Sequence, residues 1–100
     1  MVSKIRKAAE GQACLVRLPK VCSFNPEKTI LAHKNGYGLA KKYPDFIAAF
    51  CCADCHDVVD GKVHVDWLTK EEIQLYFYEG VFRTQLLLHD QKYILTPGSK

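Results

Sequence analysis

Five cysteines in a chain of 100 residues set the strongest constraint on how it can fold. Three of them lie in CCADCHDVVD, Cys51 to Asp60, beside one histidine and three aspartates. A chain of this length buries only about 60–70% of its unfolded surface, so its stability gains from a cross-link. Disulfides need an oxidising compartment, yet MVSKIRKAAEGQACLV carries charges without an apolar stretch of secretory-signal length, and the cysteine count is odd. The expectation is a reduced, cytoplasmic protein in which clustered cysteines point to metal before disulfides. No apolar run approaches a transmembrane length, so no membrane partner is expected.

Cys52 and Cys55 have the C-x-x-C spacing that lets two thiolates meet one zinc ion across a tight turn. Cys14 and Cys22 offer a second pair, although seven intervening residues exceed the usual two to four. A four-thiolate site would tie the N-terminal loop to the centre of the chain, and its binding energy would largely be folding energy. The alternative is a set of buried, reduced core cysteines. Cys51 falls outside both pairs and is assigned to the core.

The length fits one domain, residues 1–100, without repeat or linker. SKIRKAAE (3–10) reads as a short basic helix stopping at Gly11. CLVRLPKVC (Cys14–Cys22) has strand-like apolar residues, with Pro19 favouring a turn or an edge. TILAHK (Thr29–Lys34) and FIAAFC (Phe46–Cys51) read as two short strands, and ADCHDVVD as a short helix that Gly61 ends. Thr69-Lys-Glu-Glu72 is a capping box with Leu68 and Ile73 as its staple, opening a long helix that reaches His89. The aromatic run YFYEGVF (Tyr76–Phe82) falls at helical spacing and is read as packing rather than as a stacking platform for bases.

Charge is unevenly spread. Residues 1–42 hold nine Lys and Arg against two Glu, and residues 43–100 hold five against nine acids. A basic half suits phosphates and an acidic half suits cations, or else both simply solvate the surface. His56 and Asp60, four apart, share one helical face and offer either a divalent-cation site or an ordinary polar pair. His33 ends an apolar strand, as a satisfied core histidine or as a general base.

The order Cys14, Cys22, His33, Asp45, Cys52, Cys55, His56, Asp60 resembles the HNH nuclease superfamily, the ββα-metal fold. Within it, IRKAAEGQACLVRLPKVC, NPEKTILAH, PDFIAAFCCADCHDVVD and GVFRTQ are similar to the prophage-encoded YbcO and Ref-like nucleases, over nearly the whole chain. The resemblance implies an α+β, zinc-stapled ββα-metal domain with a long C-terminal helix, acting as a phage or prophage DNA endonuclease. His33 would be the general base and Asp45 the loop-orienting residue. His56, with Asp60, would hold a catalytic Mg²⁺ or Mn²⁺, and Cys14, Cys22, Cys52 and Cys55 a structural Zn²⁺. Lys34, Lys41 and Lys42 would meet DNA phosphates, and the Ref likeness implies a recombination role with a RecA-type filament. Two positions depart from the pattern: Ala32 replaces an Asp or His that often binds the catalytic metal, and Asp45 stands for Asn. His64 is the nearest residue to complete the metal site. The alternative is a zinc-binding module that binds DNA or a recombination protein without cutting. No motif specifies the oligomeric state.

Overall fold

The structure, a computed structural model, describes residues 4–33 and 47–91. Helix α1 (Lys4–Ala8) is followed by a long irregular loop and one 3₁₀ turn at Pro26–Lys28. Strands β1 (Thr29–His33) and β2 (Ala48–Cys52) form a two-stranded antiparallel sheet, with Leu31 opposite Phe50 and His33 opposite Ala48. Helix α2 (Ala53–Val59) leaves β2 without a linker, and α3 (Lys70–Asp90) packs across the sheet. The molecule is a small α+β fold with a long C-terminal helix.

All five residues of β2 are buried, which is why its sequence reads as a continuous apolar run rather than an alternation. Ala48 and Phe50 join Leu31, Ala9 and Leu88 in one cluster. Ala49 and Cys51 join Ala32, Val16 and Phe77 in the other. The outer edge of β2 is not left open. Leu15 N donates to Phe50 O at 2.7 Å, and Phe50 N donates to the Thr84 hydroxyl at 2.9 Å. Thr84 passes its own proton to Gly80 O at 2.7 Å. Arg83 Nη1 closes the circuit by donating to Leu15 O at 2.8 Å. The segment GVFRTQ is thus the part of α3 that docks the N-terminal loop and caps the sheet edge.

Gly80 is required by close approach. A Cβ there would lie 2.7 Å from Val16 Cγ2, 3.1 Å from Val16 Cα and 3.2 Å from Leu15 O. Gly80→Ala gains about 1 kcal/mol of helix propensity, but overpacking a buried contact costs about 1–3 kcal/mol. A net loss of stability is expected, read as a lower thermal midpoint. Thr84→Val leaves the buried Phe50 N–H without an acceptor and is expected to cost about 1–3 kcal/mol, measured by denaturant unfolding.

The Thr69 cap forms as its sequence demands: Glu72 N donates to Thr69 Oγ1 at 3.1 Å and Thr69 N to Glu72 Oε1 at 2.8 Å. Gly61 follows the Asp60 cap of α2 with φ +80°, the left-handed exit expected of glycine.

Two expectations need correction. Of the readings of Cys14–Cys22 the strand-like one fails and the turn holds, because Arg17 and Lys20 turn the chain with φ of 55° and 60° and Val21 N and Cys22 N return to Leu18 O. The aromatic run is only partly core: Phe77 is buried, but Phe82 is 63% exposed on the far side of α3. The KYILTPGSK tail beyond Gln91 lies outside the described residues. No described helix is long and apolar enough to cross a membrane.

Candidate metal centre and adjoining groove

The thiols of Cys14, Cys22, Cys52 and Cys55 lie within 4.8 Å of one another. Tetrahedral zinc with Zn–S of about 2.3 Å places its sulfurs about 3.8 Å apart, so only small adjustments separate this arrangement from a closed four-thiolate site. Each position follows from local structure. Cys52 ends β2 and is also the N-cap of α2, its Sγ accepting from Cys55 N at 3.4 Å. The C-x-x-C pair is thereby a strand-to-helix corner.

The first pair works despite its width because the loop folds back on itself. Val16 and Leu18 are buried, and Cys22 N and Val21 N both return to Leu18 O. Trp67 Nε1 clamps the far side by donating to Pro19 O at 2.8 Å.

Backbone amides are aimed at every sulfur of the four. Cys14 receives Arg17 N at 3.5 Å, Cys22 receives Phe24, Cys52 receives Cys55, and Cys55 receives Leu18. Arg17 and Phe24 reach this geometry with positive φ, 55° and 54°, at non-glycine positions that ordinarily avoid it. Such amide fans suit thiolates rather than thiols. In the metal-free protein one sulfur takes most of this benefit: S–H groups of Cys51 and then Cys55 hold Cys14 far below the ordinary thiol range. Cys51 and Cys55 are pushed up chiefly as the donors in those bonds. Burial raises Cys22 to about 11. The donor chemistry and spacing fit a soft metal ion such as zinc. Cys51 is fully buried core, as expected, and its Sγ donates to Cys52 O at 3.4 Å.

His56 follows Cys55 directly on α2, and its Nε2 lies 3.2 Å from Asp60 Oδ2. Adjacent ligands of a hard octahedral cation with bonds of 2.0–2.1 Å sit about 3 Å apart, so this pair has the right bite for two neighbouring positions. Both side chains are about three-quarters buried, at 26% and 22% exposure.

Asp60 and His33 border one groove of about 770 Å³, which runs between the end of β1, the turn after α2 and the first turns of α3. His64 borders it too, but is 86% exposed and points Nε2 at Asp66 Oδ1, 3.1 Å away. Among the described residues the four cysteines are the only converging group of three or more metal-ligating side chains, so His64 is not brought into one cluster with His33, His56 and Asp60. Ala32 is buried in the sheet opposite Ala49. Lys34, Lys41, Lys42 and Asp45 lie outside the described residues.

Residues 3–93 match the family described as "Putative nuclease YbcO". Relatives of that name from Escherichia coli (strain K12) and Enterobacteria phage 82 are each 43% identical over 90 residues, covering 86% of this chain and 91% of theirs. A solved structure described as that of a putative bacteriophage protein from Escherichia coli str. K-12 substr. MG1655 superimposes with a TM-score of 0.75. It is 38% identical and covers 89% of this chain and 100% of that one. A family match over nine-tenths of the chain, with identity this high, leaves one conclusion: the chain belongs to the YbcO family.

Proposed function

We propose that the protein is a metal-dependent DNA endonuclease of the ββα-metal (HNH) type, with His33 as general base. The observation that carries this is a single groove bordered by both His33 and Asp60, in a chain of the YbcO family. His33 accepts a proton from water as the water oxygen attacks the phosphodiester phosphorus; the P–O bond to the leaving oxygen then breaks. His56 and Asp60 hold a Mg²⁺ or Mn²⁺ ion, which when bound stabilises the charge developing on the phosphoryl and leaving oxygens. Cys14, Cys22, Cys52 and Cys55 hold a structural Zn²⁺ that fixes the start of α2, and His56 inherits that placement from its neighbour. Lys34, Lys41, Lys42 and Asp45 retain the roles the family resemblance implies: phosphate contact for the lysines and loop orientation for the aspartate.

His56→Ala and Asp60→Asn are expected to lower plasmid nicking, with Asp60→Asn partly rescued at raised Mn²⁺ and zinc content unchanged in both. Full activity in His56→Ala at limiting metal would contradict the assignment. The second reading is a zinc-stapled DNA-binding module that does not cut, favoured by the buried Ala32, which stands where many HNH enzymes have an Asp or His ligand. It predicts DNA binding with no cleavage under any divalent cation.

A further inference from the structure

The groove beside His33 has a composition that phosphate contact alone does not explain. Part of its lining is apolar: Leu68, Ile73 and Phe77, with Val63, which is 48% exposed. Its charged rim is largely spoken for, since Asp60 faces His56 and His64 faces Asp66. Lys62 and Lys70 also line it, and neither makes an ion pair among the described residues. A duplex backbone meets protein with phosphates and sugars, for which an apolar lining has no use. A body that is flat and apolar, with an anionic link on either side, matches both features: one unstacked nucleotide. The volume, about 770 Å³, falls in the range of sites that enclose small ligands.

We infer that this groove seats an unpaired nucleobase next to the phosphate presented to His33, with Lys62 and Lys70 holding the flanking phosphates. The inference rests on the nuclease reading for the position of the scissile phosphate, and it specifies the substrate: DNA that is single-stranded, bulged or otherwise locally open. The base lies over Leu68 and Ile73 with Val63 against its edge. Apolar packing of a base face against Leu68 and Ile73 is non-directional, so no sequence preference accompanies it. An intact duplex gains the lysine contacts only after extruding a base, an unstacking cost that a mismatched or single-stranded base largely avoids.

The test uses full-length, zinc-loaded His33→Ala protein, which keeps Val63, Leu68, Ile73 and both lysines of the groove and has cleavage strongly slowed. Fluorescence anisotropy without added Mg²⁺ or Mn²⁺ compares four labelled oligonucleotides of equal length: single strand, duplex, duplex with a one-nucleotide bulge, and single strand containing abasic sites. Single-stranded and bulged DNA, which avoid most of the unstacking cost, are expected to bind about tenfold tighter than duplex, and the abasic strand to lose most of that advantage. Val63→Asn, at an exposed position that leaves folding intact, should shrink the base-dependent difference. Lys62→Ala with Lys70→Ala should weaken every oligonucleotide and flatten the salt dependence. Zinc content and circular dichroism confirm each variant's fold. Equal affinity for all four DNAs, or an abasic strand bound as well as an intact one, would overturn the base-seating inference. If wild type still cuts duplex in that case, the nuclease reading survives alone; if no DNA binds, both fall.

Discussion

Cys55→Ser is expected to release the metal and unfold the protein at room temperature. Cys55 is fully buried, lies between the sheet and the N-terminal loop, and shares its sulfur environment with Cys14, Cys22 and Cys52. A four-thiolate zinc in a small domain carries apparent binding energy of about 10–16 kcal/mol near neutral pH, as large as the whole stability of about 5–15 kcal/mol typical of a folded domain. The loop from Cys14 to Cys22 contains no regular element; Trp67, Arg83 and Phe50 hold it, and a metal on the four cysteines would pin both its ends. Without the metal, the amides of Phe24 and Leu18 would face sulfurs that remain protonated. The sign with pH follows directly. Burial pushes the Cys22 thiol up to about 11, so a metal binding at lower pH must displace its proton, and apparent affinity rises as pH rises. Atomic absorption on the purified protein, with circular dichroism before and after a strong chelator, reads the result. One zinc per chain and loss of ellipticity on chelation are expected. Cys51→Ser, by contrast, should keep the metal, because Cys51 is outside the four-sulfur group.

The second large effect is expected at His33. It closes β1 opposite Ala48, half-buried, with its side chain bordering the groove. His33→Ala should lower the cleavage rate by about 10²–10⁴-fold, the usual contribution of a positioned general base. Zinc content and thermal midpoint should hardly move, since the residue is only partly buried at a strand end and is not among the four sulfur ligands. The residual rate would come from substrate binding and charge stabilisation at His56 and Asp60. A large fall in thermal stability would instead mark His33 as a core histidine, the plainer role that its apolar strand also permits.

Much of this was written locally. C-x-x-C, the two apolar strands and the Thr69–Glu72 box each depend on residues within a few positions of one another, and each formed where its chemistry placed it. Cys14 and Cys22 were harder to read, because their meeting depends on positive φ at Arg17 and Phe24 and on Trp67, nearly fifty residues away from Pro19. Nor does local pattern show why GVFRTQ matters. Gly80, Arg83 and Thr84 act on Val16, Leu15 and Phe50, contacts that exist only after the chain has folded back. Phe82 misled for the complementary reason: helical spacing identifies a face, but the width of the buried stripe is set by what packs against it. The groove is likewise a product of tertiary structure, since it joins a strand end, a turn and a helix start separated by some forty residues.

The most direct test of the whole account is conversion of supercoiled plasmid to nicked or linear DNA by zinc-loaded wild type, with Mg²⁺ or Mn²⁺, alone and with recombinase-coated single strands. His33→Ala, purified in parallel, serves as the comparison. Cleavage by wild type that requires the divalent ion and disappears in His33→Ala is the predicted result. Equal cleavage by both proteins, or none by wild type under any of these conditions while zinc and DNA remain bound, would contradict it.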